Sequence, residues 1–163
     1  MRTLIHLAAG LIGGIGGTLL MGELMKREQA LPEPLRGPSL KGHPGELVAE
    51  QVEEVTGGMS DETKGKVAKL AQFAYGIVGP LALGAVARQL RPGKSVGRAL
   101  LTGAGLGALV WAAGYLGWLP ATGLADPVRK QGASHMASSL AGHVLAYGVP
   151  AVLPVAVADR LLD

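Results

Sequence analysis

The stretch Thr3–Gly22, TLIHLAAGLIGGIGGTLLMG, contains no Asp, Glu, Lys or Arg over 20 residues. A helix that crosses the hydrocarbon core of a bilayer needs about 20 mostly apolar residues, so this stretch has the length of one span. Three more charge-free stretches of 18, 27 and 28 residues follow it, and they are Leu70–Ala87, Ala99–Ala125 and Gln131–Ala158. The sequence therefore predicts an all-α, polytopic membrane protein with four transmembrane helices.

The composition agrees with a membrane protein. Charged residues make up 17% of the chain, whereas soluble domains carry roughly 25%. The 26 glycines and the 4% of aromatic residues would fill a soluble core poorly, but small residues let membrane helices approach closely. The chain has no cysteine, which excludes disulfides and thiol catalysis. The net charge is +3, and because the basic residues lie at the ends of the apolar stretches we expect no nucleic-acid partner.

We predict a single membrane domain over residues 1–163, in which four transmembrane helices form an antiparallel bundle at about 4–25, 68–87, 99–119 and 136–158. The polar loop 26–66 begins with a Pro-rich, irregular segment. Later in this loop, apolar residues recur at helical spacing, namely Leu47, Val48, Val52 and Val55. This spacing predicts one short amphipathic helix on the membrane surface or against the bundle. Pro150 and Pro154 lie inside the last span, and they favour a kink there.

The first apolar stretch has a second interpretation, because a secretory signal peptide also begins with a basic residue, here Arg2. No small-residue cleavage site of the A-x-A type follows the stretch, and its apolar run has the full length of a span. We therefore expect it to remain in the protein as a transmembrane helix.

The charges of the loops predict the orientation, since short cytoplasmic loops carry an excess of Lys and Arg. The short turn between the second and third spans is basic and contains no acid; its basic residues are Arg88, Arg91, Lys94 and Arg98. Four crossings place both termini on the side of this turn, so we expect both termini in the cytoplasm of a bacterium, with the spans in its inner membrane. Basic residues in the long first loop favour the opposite orientation, and they are Lys26, Arg27, Lys64, Lys66 and Lys69.

Glycines recur four residues apart on two of the predicted spans. The pairs are Gly10 with Gly14, Gly13 with Gly17, and Gly103 with Gly107. Without a Cβ atom at such positions, two helix backbones can come into contact. One interpretation is dimerisation through these faces, and the other is packing of helices within one chain. We favour packing within the chain, because internal contacts form first.

Polar side chains in the predicted outer half of the membrane suggest a candidate cluster, consisting of Glu23, Gln72, Tyr75, Tyr115, His143 and Tyr147. Ionisable residues within spans are expensive to bury and often mark a functional site, so Glu23 and His143 are candidate proton or cation partners. The alternative is structural: aromatic residues form an interfacial belt, Glu23 reaches water, and a neutral His143 bonds to a neighbouring helix. His6 lies in the opposite leaflet from His143, so no haem is expected, and the sequence suggests neither another cofactor nor a metal site.

Two short motifs, Gly17-Thr18-x-x-Met21 and Phe73-Ala74-Tyr75-Gly76, resemble the YagU-like family, bacterial inner-membrane proteins of unknown function. Members of that family are similar in having a Gly-rich first helix and a loop with Pro and Glu. Where the family pattern would place a His, this chain has Gln72. The resemblance implies four helices in a bacterial membrane, and it implies no activity.

Two classes of function fit these features. The first is a structural or accessory membrane protein, packed through its Gly-rich helices, that acts as a homo-oligomer or as a subunit of a larger membrane complex. The second is a proton- or ion-linked transport element that uses the outer polar cluster. We do not expect an enzyme, because the sequence suggests no catalytic residues, neither a nucleophile with its base nor a catalytic metal site.

Overall fold

The computed structural model describes residues 1–28, 30–38 and 44–162; residues 39–43 of the predicted irregular loop lie outside this description. Regular structure within the described residues is entirely helical. The five α-helices are α1 (Arg2–Glu28), α2 (Pro44–Thr56), α3 (Asp61–Leu90), α4 (Val96–Ala121) and α5 (Ala133–Leu162). Short 3₁₀ turns occupy Glu33–Leu35, Pro92–Lys94 and Val128–Lys130.

Four of these helices, α1, α3, α4 and α5, are long and apolar enough to cross a membrane. Their positions agree with the four charge-free stretches, so the all-helical prediction with four candidate spans is confirmed. Between 22% and 33% of the residues in the most apolar part of each helix are buried. Large side chains such as Leu101, Leu109 and Leu145 remain at least two-thirds exposed. An apolar surface of this extent is unfavourable in water and indicates a multi-pass membrane protein.

Local sequence determines where α3 and α4 begin and end. The Ser60 hydroxyl caps the start of α3 by accepting the Thr63 N–H at 3.3 Å. After Leu90 the backbone of Arg91 turns left-handed, with φ of 48°, and Pro92 then prevents continuation of the helix. The Ser95 hydroxyl caps α4 by accepting the Arg98 N–H at 3.2 Å. The connection between these two helices is therefore short.

The helix predicted in the first loop is α2, and it packs against α3 through small residues. A Cβ atom added at Gly45 would collide with the backbone of Ala68, and Ala49 is completely buried. Val55, which the helical spacing placed on the apolar face, is 88% exposed. The contact with α3 thus uses Gly45 and Ala49, since only small residues allow the two backbones to come this close.

The predicted kink in the last span corresponds to a π-helical turn, and α4 contains a second one. In α5 the turn is His143–Gly148, and the Val149 N–H bonds to the carbonyl of Val144, five residues earlier. In α4 the turn is Ala113–Trp118, and the Leu119 N–H bonds to the Gly114 carbonyl. Each of these bonds comes one residue before a proline, Pro150 or Pro120. Because proline has no N–H and its ring clashes with the carbonyl four residues back, a widened turn here relieves the strain.

The six glycines predicted to mediate packing all lie at contacts within the chain. In α1, Gly10 faces Pro80 and Gly14 faces Ile77 of α3, while Gly13 faces Ala151 and Gly17 faces Tyr147 of α5. In α4, Gly103 faces Val149 and Gly107 faces Val144 of α5, and an added Cβ would lie only 2.7 Å from the Cα atom of each valine. Helix α5 therefore lies between α1 and α4 and contacts both.

Candidate functional site

Two tyrosine hydroxyls of the predicted polar cluster bind backbone carbonyls of neighbouring helices. The Tyr147 O–H on α5 donates to the Gly76 carbonyl on α3 at 2.5 Å, and this bond is buried. The Tyr75 O–H on α3 donates to the Val110 carbonyl on α4 at 3.0 Å. Both hydroxyls thus connect helices, and this is the expected way to satisfy a polar group where water is scarce.

Tyr115 and His143 lie together between α4 and α5. Their rings meet edge to face with centroids 5.8 Å apart, and Tyr115 also stacks with Trp111 at 6.0 Å. The His143 Nδ1 atom lies 2.9 Å from the Ser139 carbonyl oxygen. Since a carbonyl can only accept, Nδ1 carries the proton in this contact, and Nε2 of a neutral ring remains an acceptor.

Glu23, which the sequence analysis placed either in the polar cluster or in contact with water, does not join this group. Its carboxylate lies 2.9 Å from Arg27 Nε and 3.9 Å from Lys26 Nζ, and its side chain is 50% exposed. These partners come from the next turn of its own helix. Burial of a carboxylate costs free energy because the charge loses its contact with water. Glu23 points outward, where it keeps this contact and lies beside two cations.

The acidic residue that approaches the cluster is Glu28, at the end of α1. One of its oxygens, Oε1, accepts the Gly37 N–H, and Arg36 and His135 interact with the carboxylate electrostatically. The segment after α1 thus folds back across the start of α5. The Ser138 hydroxyl fixes it there by donating to the Leu35 carbonyl at 2.5 Å.

Sequence reasoning missed Glu28 and Arg36 because no spacing rule relates a helix end to an irregular loop. Glu28 also lies just beyond the first predicted span, at a position where an acid usually faces water. The prolines at 32, 34 and 38 indicated the loop, but they did not indicate its direction. Only the Gly37 contact reveals that the loop returns to the end of α1.

Glu28 lines an open cavity of about 1330 Å³, bounded by the end of α1, the segment 31–38, α2 and the first turns of α3 and α5. Its lining residues include Gln72, Tyr115 and Ser139. Two members of the predicted cluster, Gln72 and Tyr115, therefore lie on this cavity. His143 does not line it, although its ring contacts Tyr115.

A second polar group lies at the other end of the helices. The His6 Nε2 atom is 3.5 Å from Asp159 Oδ1, and the Asp159 Oδ2 atom accepts the Gly93 N–H at 2.9 Å. His6 is 2% exposed and Asp159 is 4% exposed. Asp159 went unrecognised because it directly follows the last charge-free stretch, and terminal charges of a span usually reach water.

No group of three or more His, Asp or Glu side chains that could hold a metal ion occurs in the described part of the chain. The two polar groups differ in chemistry: one is a buried pair, and the other lines an open cavity of mixed charge. Comparisons of the chain with protein-family models, with curated proteins and with solved structures find no match. The function must therefore be argued from the helix contacts and from these two groups.

Proposed function

We propose that this chain is a small structural or accessory protein of the bacterial cytoplasmic membrane, with four spans in an antiparallel bundle and both termini in the cytoplasm. The observation that carries the proposal is how its intramembrane polar groups are used. The Tyr147 and Tyr75 hydroxyls bind the Gly76 and Val110 carbonyls of neighbouring helices. These groups hold helices together and are not free to bind a substrate.

The order of the glycine contacts supports the antiparallel arrangement. Along α1 the contact with α3 passes from Pro80 at Gly10 to Ile77 at Gly14, so it moves backward along α3 as it moves forward along α1. The basic turn between α3 and α4 supports cytoplasmic termini through the excess of Lys and Arg found in short cytoplasmic loops. The resemblance to the YagU-like family is part of the same proposal.

A partner within the membrane is suggested by the outer face of α4. Gly105 has open space where its Cβ would be, and it lies between Leu101 and Leu109, which are 75% and 67% exposed. A second helix can approach such a face closely. The partner is either a second copy of this chain or a subunit of a larger membrane complex.

Photo-crosslinking in native membranes tests the accessory role. A photoreactive amino acid is placed at one strongly exposed apolar position on each span, Ile12, Val78, Leu109 and Leu145. We expect a protein adduct of discrete mass at Leu109, either twice the 16.6 kDa of the chain or larger by the mass of another subunit. If all four positions yield only lipid adducts, the protein acts alone and the proposal is wrong. Membranes diluted with excess lipid before irradiation control for random collisions.

The cavity at Glu28 favours a second candidate function, a proton- or ion-linked transport element. An ionisable side chain near the end of a span, beside Gln72 and Tyr115 on one cavity, is a common feature of ion pathways. Proteoliposomes loaded with a pH-sensitive dye test it. Glu28→Gln is expected to abolish a proton flux that Glu23→Gln leaves unchanged, and the absence of flux from the unmodified protein excludes this candidate.

A further inference from the structure

The cavity at the end of α1 has the features of a binding site for one class of ligand. We propose that it binds the headgroup of a zwitterionic phospholipid that carries a phosphate and a primary ammonium. This proposal goes beyond the accessory role, and it holds whether or not the protein has a partner. It requires only that α1 ends near the bilayer surface.

The charge of the lining selects a ligand that bears both signs. Among the described residues, four Glu side chains and four Lys or Arg side chains line the cavity, so the formal charges of this part of the lining sum to zero with His neutral. A cavity lined by one sign of charge concentrates ions of the opposite sign. A balanced lining gives no such advantage to a simple anion or cation, whereas a zwitterion can pair with both kinds of side chain.

Glu28 is the group that would bind the ammonium. Its Oε1 atom accepts the Gly37 N–H, which holds the carboxylate in place on the cavity wall. A primary ammonium has three N–H donors and forms charge-assisted hydrogen bonds with carboxylates. Tyr115 also lines the cavity.

Lys69 is the group that would bind the phosphate. It lines the cavity from α3, and among the described residues it forms no ion pair. Lys64, in the same part of α3, is already bound to Glu53 on α2 at 2.8 Å. The ammonium of Lys69 is therefore available for a phosphate oxygen, with which Lys interacts as a point charge.

The apolar wall of the cavity favours a lipid over a soluble compound. Met21, Leu24 and Met25 form this wall in the last two turns of α1, next to Leu20, which is 51% exposed. Acyl chains could thus extend from the cavity along the apolar surface of the helix. The volume of about 1330 Å³ also exceeds the roughly 300–1,000 Å³ of pockets for small ligands.

Native mass spectrometry of the delipidated full chain in detergent tests this assignment. The probes are phosphatidylethanolamine, phosphatidylglycerol, which lacks the ammonium, and free phosphoethanolamine, which lacks the acyl chains. We expect phosphatidylethanolamine to bind about tenfold more tightly than either of the others, because one charge-assisted bond or the apolar wall is lost in each case.

Matched variants locate the site. Glu28→Gln and Lys69→Gln are each expected to weaken phosphatidylethanolamine binding about tenfold. Their controls are Glu23→Gln, in the same helix as Glu28, and Lys66→Gln, in the same helix as Lys69; these side chains pair with Arg27 and Glu62 and do not line the cavity. The controls should bind as the unmodified protein does.

Three outcomes would overturn the proposal. If phosphatidylethanolamine and phosphatidylglycerol bind equally tightly, the cavity does not recognise the ammonium. If free phosphoethanolamine binds as tightly as phosphatidylethanolamine, the acyl chains contribute nothing and the ligand is not a lipid. If the Lys69→Gln variant binds phosphatidylethanolamine as tightly as the unmodified protein, Lys69 does not bind the phosphate. Lys69 is exposed, so this variant remains informative even if Glu28→Gln, which loses the Gly37 contact, unfolds in a thermal melt.

Discussion

The Nε2 atom of His6 lies 3.5 Å from the Oδ1 atom of Asp159, and this pair joins the start of α1 to the end of α5. Leaving a donor that is shielded from water without its acceptor typically costs about 1–3 kcal/mol. We expect Asp159→Ala to lower the free energy of unfolding by about 1–3 kcal/mol, because the Gly93 N–H loses its acceptor and His6 loses a neighbouring carboxylate. Denaturation in detergent measures this, and Arg160→Ala, at the exposed neighbouring position, should change little.

A double-mutant cycle shows whether the two side chains act together. His6→Ala, Asp159→Ala and the double variant should be non-additive by at least about 0.5 kcal/mol, as expected for residues in contact. Additive losses would mean that the pair contributes no mutual stabilisation and that Asp159 acts only through Gly93.

The close approach of α1 to α5 predicts that alanine substitutions at two glycines of α1 have different effects on stability. Gly13→Ala should destabilise the protein by about 1–3 kcal/mol, since its Cβ collides with the Ala151 backbone. Gly16→Ala should leave stability unchanged or raise it by up to about 1 kcal/mol, because that position is open and Ala is the better helix former. Thermal unfolding in detergent compares them. Equal melting temperatures for the two variants would show that α1 does not pack on α5 as described.

The bond from the Tyr147 hydroxyl to the Gly76 carbonyl predicts a modest effect of its removal. Tyr147→Phe should lower the free energy of unfolding by about 0.6–1.7 kcal/mol, the range for hydrogen bonds between membrane helices. Tyr75→Phe should cost less, because the Tyr75 side chain is 38% exposed and its bond is longer. The reverse order in a denaturant titration would contradict the structural role assigned to Tyr147.

The proposed orientation predicts which residues an impermeant thiol reagent can reach. The chain has no native Cys, so single substitutions report cleanly. Val55→Cys, at a site 88% exposed on α2, should be labelled from outside intact cells. Ser95→Cys, in the turn before α4, should be labelled only after permeabilisation. Labelling of Ser95→Cys in intact cells would show that the orientation is the reverse of the proposed one.

The sequence predicted the four long helices because charge-free stretches of span length depend on local composition alone. It also indicated the glycines that lie at close helix contacts, because spacings of four residues place them on one face. It did not identify Glu28 as a residue of the candidate site, because the path of the irregular loop after α1 depends on the contact between Gly37 and Glu28. No periodicity in the sequence indicates such a contact. The sequence left open whether Glu23 joins the polar cluster or reaches water, because depth along a helix says nothing of the direction in which the side chain points.

The π-helical turns could not be anticipated in detail either. The prolines at 150 and 154 favoured a kink in the last span, but an extra residue in the turn is a second way to accommodate a proline, and in α4 such a turn occurs together with a kink at Gly117. Which one forms depends on the neighbours: His143 and Val144 pack against Gly107, and a bend in α5 at this level would disturb that contact. Such contacts between helices are absent from local sequence patterns.

The widened turn in α5 determines where this helix can lose a residue without rotating the part that follows. A turn closed by a bond over five residues holds one residue more than an α-helical turn. If Leu145 were deleted, the Val149 N–H and the Val144 carbonyl that now bond across the turn would be four residues apart and could still bond. Everything after the turn would keep its direction. Deletion of Leu153, in the regular part of the helix, would instead rotate the remaining residues by about 100° and take Asp159 away from His6. The π-helical turn is thus a place where the gene can lose one codon while the protein keeps its helix contacts.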